Sequence, residues 1–315
     1  MRYSRQELVI GKEWQKKLSK SSVAILGVGA LGTVASELLA RAGVGKLLLI
    51  DRDVVEETNL QRQTLFSEKD VGIPKAEAAA KRLRGINSQI KIISRVADVN
   101  HRTIGSLLAS SDLILDCTDN LSTRFLLNEY AKKNKKFWIH GGAIREEGNV
   151  MLVSPSAPCF RCTFGEAKNL ETCDTVGVLG TVTAMIGALQ AHLAIQFLIG
   201  KKISQELVHV TLSPLRVSRI QTKKNPLCAV CRGRYDYLDG KKEPRILTYG
   251  CSGMFHFFLD TIDLHAVQRK LQRIGEVRTS KDALFFQNLT IFRSGKVLVK
   301  VNHEREAKAA IAKYL

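Results

Sequence analysis

Four cysteines stand in two pairs, Cys159-x-x-Cys162 and Cys228-x-x-Cys231. Two such turns can bring four thiolates to one point, the donor set of a closed tetrahedral zinc site. The pairs are far apart in the chain, so the metal would staple two distant loops in a structural role; redox use of the pairs is the alternative. A second feature is the glycine loop Gly27-Val28-Gly29-Ala30-Leu31-Gly32, which lets backbone approach a phosphate or adenosine closely while the following helix presents its N-terminal amides. Asp51, at the end of the next apolar run, could accept ribose hydroxyls as in nicotinamide enzymes, so a dinucleotide oxidoreductase is the plain reading of residues 23–51.

The residues beyond Asp51 suit that reading less. Asp53, Asn59, Arg62 and Gln63 come in quick succession, and Lys75 comes directly after Gly72-Ile73-Pro74. Two cations and two amides are tools for holding a triphosphate, because Arg forks across phosphate oxygens and Lys supplies a compact charge. The alternative places Arg62 and Lys75 on ordinary surface. Asp119, just beyond an apolar strand, reads as a magnesium ligand or as the N-cap of a helix starting near Ser122. Cys173, in the polar loop from Leu170 to Thr175, could be a nucleophile or sulfur carrier beside an activated acyl group, or an incidental loop thiol. Cys117 and Cys251 read as packing residues.

The elements that must position these groups can be read from apolar periodicity. Gln6 to Lys20 reads as one helix, Val23 to Leu26 as a strand, Thr33 to Ala42 as a helix and Leu47 to Ile50 as a strand: a β-α-β unit with the glycines at the strand-to-helix turn. Helices over Lys75–Arg84, His101–Leu108 and Ser122–Lys132 alternate with strands at Lys91–Val96, Leu113–Asp116 and Phe137–Ile139. Such alternation predicts a Rossmann-like, mostly parallel α/β sheet with helices on both faces. Glycine-punctuated strands from Gly141 to Val153 predict an antiparallel extension, braced by the zinc cysteines. Leu207 to Gln221 reads as one alternating strand and Asn225 to Gly233 as a turn.

Lys241-Lys242-Glu243-Pro244 reads as a linker between a first domain, 1–240, and a small C-terminal α/β appendage, 244–315. The appendage is expected to contain a strand at Arg245–Thr248, a helix at Leu264–Ile274, two strands within Leu284–Val301 turned at Ser294-Gly295, and a helix at Glu304–Tyr314, with little core of its own. No repeat is evident.

The 315 residues, 45% hydrophobic, suffice for about two domains. The net charge of +18, from 48 Lys and Arg against 30 Asp and Glu, suits an acidic partner or a nucleotide. The start at Met1 is polar, so a cytoplasmic location is expected. Seven cysteines there favour thiols or metal ligands over disulfides. The one membrane-length stretch, Thr181 to Gly200, carries Gln190, His192 and Gln196, so it reads as a buried or interface helix and no membrane partner is expected.

Taken in order, Arg2-Tyr3-Ser4-Arg5-Gln6, the loop Gly27 to Gly32, Ala42-Gly43-Val44-Gly45, Asp51 with Asp53, Asn59-Leu60-Gln61-Arg62-Gln63, Gly72-x-x-Lys75, Asp116-Cys117-Thr118-Asp119-Asn120 and both cysteine pairs resemble the ThiF/MoeB/HesA adenylyltransferases, relatives of ubiquitin-activating enzymes. The resemblance covers nearly all of residues 1–235. It implies a homodimer that binds Mg-ATP and the Gly-Gly tail of a ubiquitin-like sulfur carrier, forms the carrier's acyl-adenylate and releases pyrophosphate, with no direct nucleic-acid partner. Arg5 would reach into the partner subunit's site, toward the phosphates. Asp51 would hold ribose, and Asn59, Arg62 and Lys75 the phosphates. Gly27, Gly29, Ala30, Asp53, Gln63 and Asn120 would complete the ATP site, Asp119 would manage Mg2+, and the four paired cysteines would bind Zn2+. The run from Thr172 through Cys173 to Gly180 is similar to the thiamine-thiazole branch, where the equivalent cysteine is associated with a covalent link to the carrier. Two departures stand out: Ala30 replaces a glycine, and the appendage has no rhodanese active-site loop, so a separate sulfur donor is expected. RNA thiolation and protein conjugation are the alternative uses of such a carrier.

Overall fold

The computed structural model describes residues 2–165, 176–242, 248–249, 254–259, 262–293 and 295–315. Cys173, Cys251, Arg245 and Ser294, on which several expectations rest, lie outside the described residues.

The N-terminal helical segment is two helices, α1 (Ser4–Ile10) and α2 (Lys12–Leu18), where one was expected. Gly11 breaks them at φ +89°, outside the helical region and open chiefly to glycine. From there the expected alternation unfolds: β1 (Ser22–Leu26), α3 (Ala30–Ala42), β2 (Lys46–Asp51), α4 (Lys75–Ile86), β3 (Lys91–Val96), α5 (Ile104–Leu108), β4 (Leu113–Asp116), α6 (Leu121–Lys133) and β5 (Trp138–Ile144). β6 (Glu147–Val153) returns antiparallel on β5. Leu207 to Gln221 is not one strand but a hairpin, β7 (Leu207–Leu212) and β8 (Leu215–Ile220), turned at Ser213-Pro214.

The first sheet has eight strands in the order β3-β2-β1-β4-β5-β6-β7-β8. β3 to β5 are parallel, and every residue of β1 and β4 is buried, as strands covered on both faces must be. The chain runs from β1 outward through β2 to β3, then returns to β4 on the other side of β1. That reversal opens a crevice beyond the carboxyl ends of β1 and β4. The long apolar helix Gly180–Leu198 is a core element: Val182, Ile186, Ala191, Ala194 and Leu198 pack in the main cluster with Leu31, Ala35 and Leu39 of α3. Its buried Gln190 donates to the Asp116 carbonyl at 2.7 Å and accepts from the Cys117 thiol, which satisfies the amide without water.

The C-terminal region is more regular than expected. In place of the three strands expected it forms an antiparallel six-stranded sheet, ordered β11 (Arg278–Thr279), β12 (Ala283–Phe286), β13 (Leu289–Phe292), β14 (Lys296–Val299), β10 (Phe255–Phe258), β9 (Thr248–Tyr249). It also has a core: Leu271, Ile291, Val297, Val299 and Ala307 are fully buried between this sheet and the helices Leu264–Gln272 and Glu304–Tyr314.

Candidate functional site

A cavity of about 240 Å³ lies at the crevice between β1 and β4. Its floor is the glycine loop. Gly27 sits at φ +82°, and a Cβ there would come within 2.7 Å of the Cys117 carbonyl oxygen; one at Gly32 would overlap the Gly27 carbonyl. Two strand ends and a helix therefore meet with no room for side chains, and backbone forms the surface offered to a ligand. Asp51 locks this shape, since its Oδ2 accepts from Val28 N at 2.6 Å and its Oδ1 from Asp53 N at 2.8 Å.

Lys75 opens α4 and is buried, its Nζ 3.5 Å from Asp53 Oδ2. Burial alone would pull the ammonium's pKa down, but Asp53, Asp51 and Asp119 outweigh it and leave Lys75 above its ordinary value. Burial pushes Asp51 up against the opposing pull of Lys75. For Asp53, burial acts upward too, yet Lys75 and Arg52 hold the carboxyl below its ordinary value. A charged ammonium thus sits among carboxylates in a half-closed cavity. The ordinary-surface alternative fails for Lys75, and Arg62, half-buried, lines the same cavity with its Nη1 donating to the Thr58 carbonyl.

The remaining expected residues fall into groups. Gly29, Ala30, Asn59, Gln63, Asp119 and Asn120 all line the cavity. Asn59 braces its own turn, its Oδ1 accepting from Glu56 N at 3.1 Å. Gln63 is buried, and its Oε1, like Asp53 Oδ1, has no hydrogen-bond partner among the described residues; buried polar atoms in that state beside a cavity mark where a ligand's donors would go. Asp119 is not the helix cap, because Asn120 Oδ1 accepts from Thr123 N and fills that role. The Asp119 carboxylate stays exposed at the mouth, a hard oxygen donor of the kind magnesium takes.

Arg5 is exposed on α1 and does not line the cavity of its own subunit. Its helix is fixed nearby: Gln6 and Gln15 both donate to the Ala42 carbonyl, and Tyr3 packs on Gly43. Leu8 and Val9 of the same helix are 80% and 83% exposed.

Sequence reasoning missed Arg52 and Arg124. Arg52 lines the cavity and pairs with Asp98 at 2.9 Å. Arg124 pairs with buried Asp116 at 3.2 Å, and donates to the carbonyls of Thr118 and Gly141. Burial would raise the Asp116 carboxyl, but Arg124 and the His140 ring, 3.1 Å away, bring it below its ordinary value. Arg52 was legible as the one cation between two carboxylates, whereas Arg124 carried no signal beyond its helix.

The four paired cysteines converge away from the cavity. Cys159 Sγ lies 3.7 Å from Cys162 Sγ and 3.6 Å from Cys228 Sγ, with Cys162 and Cys231 at 3.6 Å. Four sulfurs at zinc's bond length of about 2.3 Å would stand about 3.8 Å apart on a tetrahedron, so the residues fit that ion. Asn225 N donates to Cys162 Sγ at 3.4 Å, as a thiolate needs.

A model of the ThiF family matches residues 3–230. The chain is 32% identical over 332 residues to the sulfur carrier protein ThiS adenylyltransferase of Bacillus subtilis, covering 100% of this chain and 99% of that one. It is 40% identical over 240 residues to the molybdopterin-synthase adenylyltransferase of Escherichia coli, covering 73% and 96%. Among solved structures, Escherichia coli MccB with ATP aligns at a TM-score of 0.64 and 26% identity over 73% of this chain and 74% of that chain.

Proposed function

This chain belongs to the ThiF family, and on that premise we propose that it uses ATP to adenylate the C-terminal Gly-Gly carboxylate of a ubiquitin-like sulfur-carrier protein, a step in sulfur transfer toward the thiazole of thiamine. The observation that carries this reading is the buried Lys75 ammonium beside a glycine cradle, in a cavity where Asp53 Oδ1 and Gln63 Oε1 accept no hydrogen bond among the described residues. The extent of similarity supports the thiamine branch. The ThiS adenylyltransferase matches the whole chain, second sheet included, whereas the molybdopterin relative matches 73% of it. Its higher identity makes a molybdopterin carrier the second reading.

In this reaction a carboxylate oxygen of the carrier attacks the α-phosphorus of ATP, and the bond to the bridging oxygen breaks. The electron pair leaves with pyrophosphate, and no proton need move because the nucleophile is already ionised. The chain's work is therefore position and charge. The Gly27–Gly32 loop and the first amides of α3 receive phosphate oxygens, Asp51 receives ribose hydroxyls, and Lys75 with Arg62 offsets the charge gathering on the α-phosphate and the leaving group. Asn59 and Asn120 keep their loops in shape. Asp119 would hold magnesium, which supplies neutralisation of phosphate charge. Cys159, Cys162, Cys228 and Cys231 would hold zinc as a staple between β6 and the segment after β8.

Exposed Arg5, flanked by exposed Leu8 and Val9, suits a homodimer in which each subunit lends an arginine to the other's cavity. Cys173, in its resemblance to the thiazole branch, is the candidate for a covalent link to the carrier, with sulfur coming from a separate donor. Cytoplasmic action fits this chemistry.

ATP–pyrophosphate exchange with each Gly-Gly-ended carrier of the source organism, intact and with the tail removed, tests the reading. Exchange with one intact carrier supports it and identifies the branch. No exchange with any carrier, in a folded zinc-loaded protein, overturns it. Cys173→Ser should keep exchange and lose sulfur loading; unchanged loading removes the covalent role.

A further inference from the structure

The cavity has a wall that comes from outside the first sheet. β12, β13 and β14 are buried on both faces, and their residues sort by alternation into two clusters. Leu284, Phe286, Ile291, Val297 and Val299 face the two C-terminal helices. Ala283, Phe285, Phe292 and Leu298 face the other way, onto Val96 at the end of β3 and Val54 just after β2, with Met254 packed beside them. Val54 and Met254 also line the cavity.

Lys296, the first residue of β14, lies on that same face and is buried. Its Nζ donates to Asp98 Oδ1 at 2.8 Å, and the same oxygen accepts from Arg52 Nη1 at 2.9 Å. Asp98 is buried two residues past β3, and Asp98 and Arg52 both line the cavity. The strand order β1, β2, β3 sets the glycine loop, Asp51 and the Ala97-Asp98-Val99 turn side by side. A nucleotide with its phosphates on the loop and its ribose at Asp51 places its base against that turn and Met254.

Resting on the adenylyltransferase reading, we infer that the second sheet completes the nucleotide site. Met254 walls the base end of the cavity, and Lys296 is a positioning residue that fixes Asp98, and through it Arg52, in the arrangement that receives ATP. A buried carboxylate shared by a buried ammonium and a half-buried guanidinium has few geometries that satisfy all three groups. Without Lys296 the Asp98 carboxylate keeps Arg52 and Asn100 but loses its tie to the second sheet.

The test is the dissociation constant for Mg-ATP and the KM against kcat in pyrophosphate exchange, on the full chain. Lys296→Met should raise both Kd and KM roughly tenfold with kcat little changed, as for an interaction equal in ground and transition states. Lys296→Arg should restore most of the affinity, and Met254→Ala, which breaks no ion pair, should raise Kd about threefold. Lys300→Ala, removing the ion pair with Glu56 at the rim of the same sheet contact, should leave both constants unchanged. If Lys296→Met fails to fold, Met254→Ala decides alone. Wild-type ATP binding with Lys296→Met and Met254→Ala both unchanged overturns this inference only. A wild-type protein that binds no ATP overturns the parent reading and this one together.

Discussion

The floor of the cavity and its far wall are built in opposite ways. The floor is backbone: Gly27 and Gly32 let two strand ends and a helix touch, and Asp51 ties Val28 through a single carboxylate a short way along the chain. The wall is side chains, with Lys296 meeting Asp98 across 198 residues of sequence and Phe285, Phe292 and Leu298 packing on Val54 and Val96. Backbone placed by glycine gives a ligand surface where an added side chain at Gly27 or Gly32 meets neighbouring backbone. Side chains docked from another sheet give one that can be tuned residue by residue.

Two regions built so differently should fail differently. The largest effect is expected at Lys75, on the floor side. Lys75→Ala should slow exchange by roughly 100- to 1,000-fold, as for loss of one preorganised charge, and should also lower the melting temperature, because Asp53 and Asp51 lose their cation; a loss of exchange under tenfold would break the assignment. Next is Asp98, on the wall side. Asp98→Asn should cost roughly 3 kcal/mol at pH 7, because it takes the shared carboxylate from buried Lys296 and leaves Arg52 with Asp53 alone as its ion-pair partner among the described residues. Burial pushes Asp98 up, but Lys296 and Arg52 hold it well below its ordinary value of 3.8. Its stabilisation is therefore full well above that value and lost as pH falls below it. Denaturant melts of wild type and Asp98→Asn should differ most at pH 7, with the gap narrowing steadily as pH falls from 4 to 2; a gap of constant size from pH 7 to pH 2 would show that the ion pairs are not its source. The smallest is Gly27→Ala, expected to cost about 1–3 kcal/mol by melting through its left-handed backbone and the crowded Cys117 carbonyl; a neutral result would mean the loop is looser than its geometry.

Much of the first half was legible because its signals are local. β3 and β4 fall at the residues that periodicity indicates, as does the closing helix of the C-terminal region, and Asn59, Arg62 and Gln63 do gather at one cavity. The four cysteines converge as their spacing indicates. The errors share a cause, since each turns on a partner distant in sequence or a backbone angle. Gly11 splits a segment whose apolar spacing is continuous. Leu207 to Gln221 alternates throughout, and alternation cannot report that the strand doubles back at Ser213-Pro214. In the C-terminal region short strands with both faces buried show no polar side, so their number was undercounted and the contact through Lys296 was invisible.

A chain emerging from the ribosome completes the glycine cradle long before β14 exists. Until β12, β13 and β14 arrive, Val54 and Val96 lack that cover, and until Lys296 does, Asp98 has one cation rather than two. On the inference that the second sheet completes the nucleotide site, the order of synthesis makes full affinity for ATP among the last properties the newborn chain acquires.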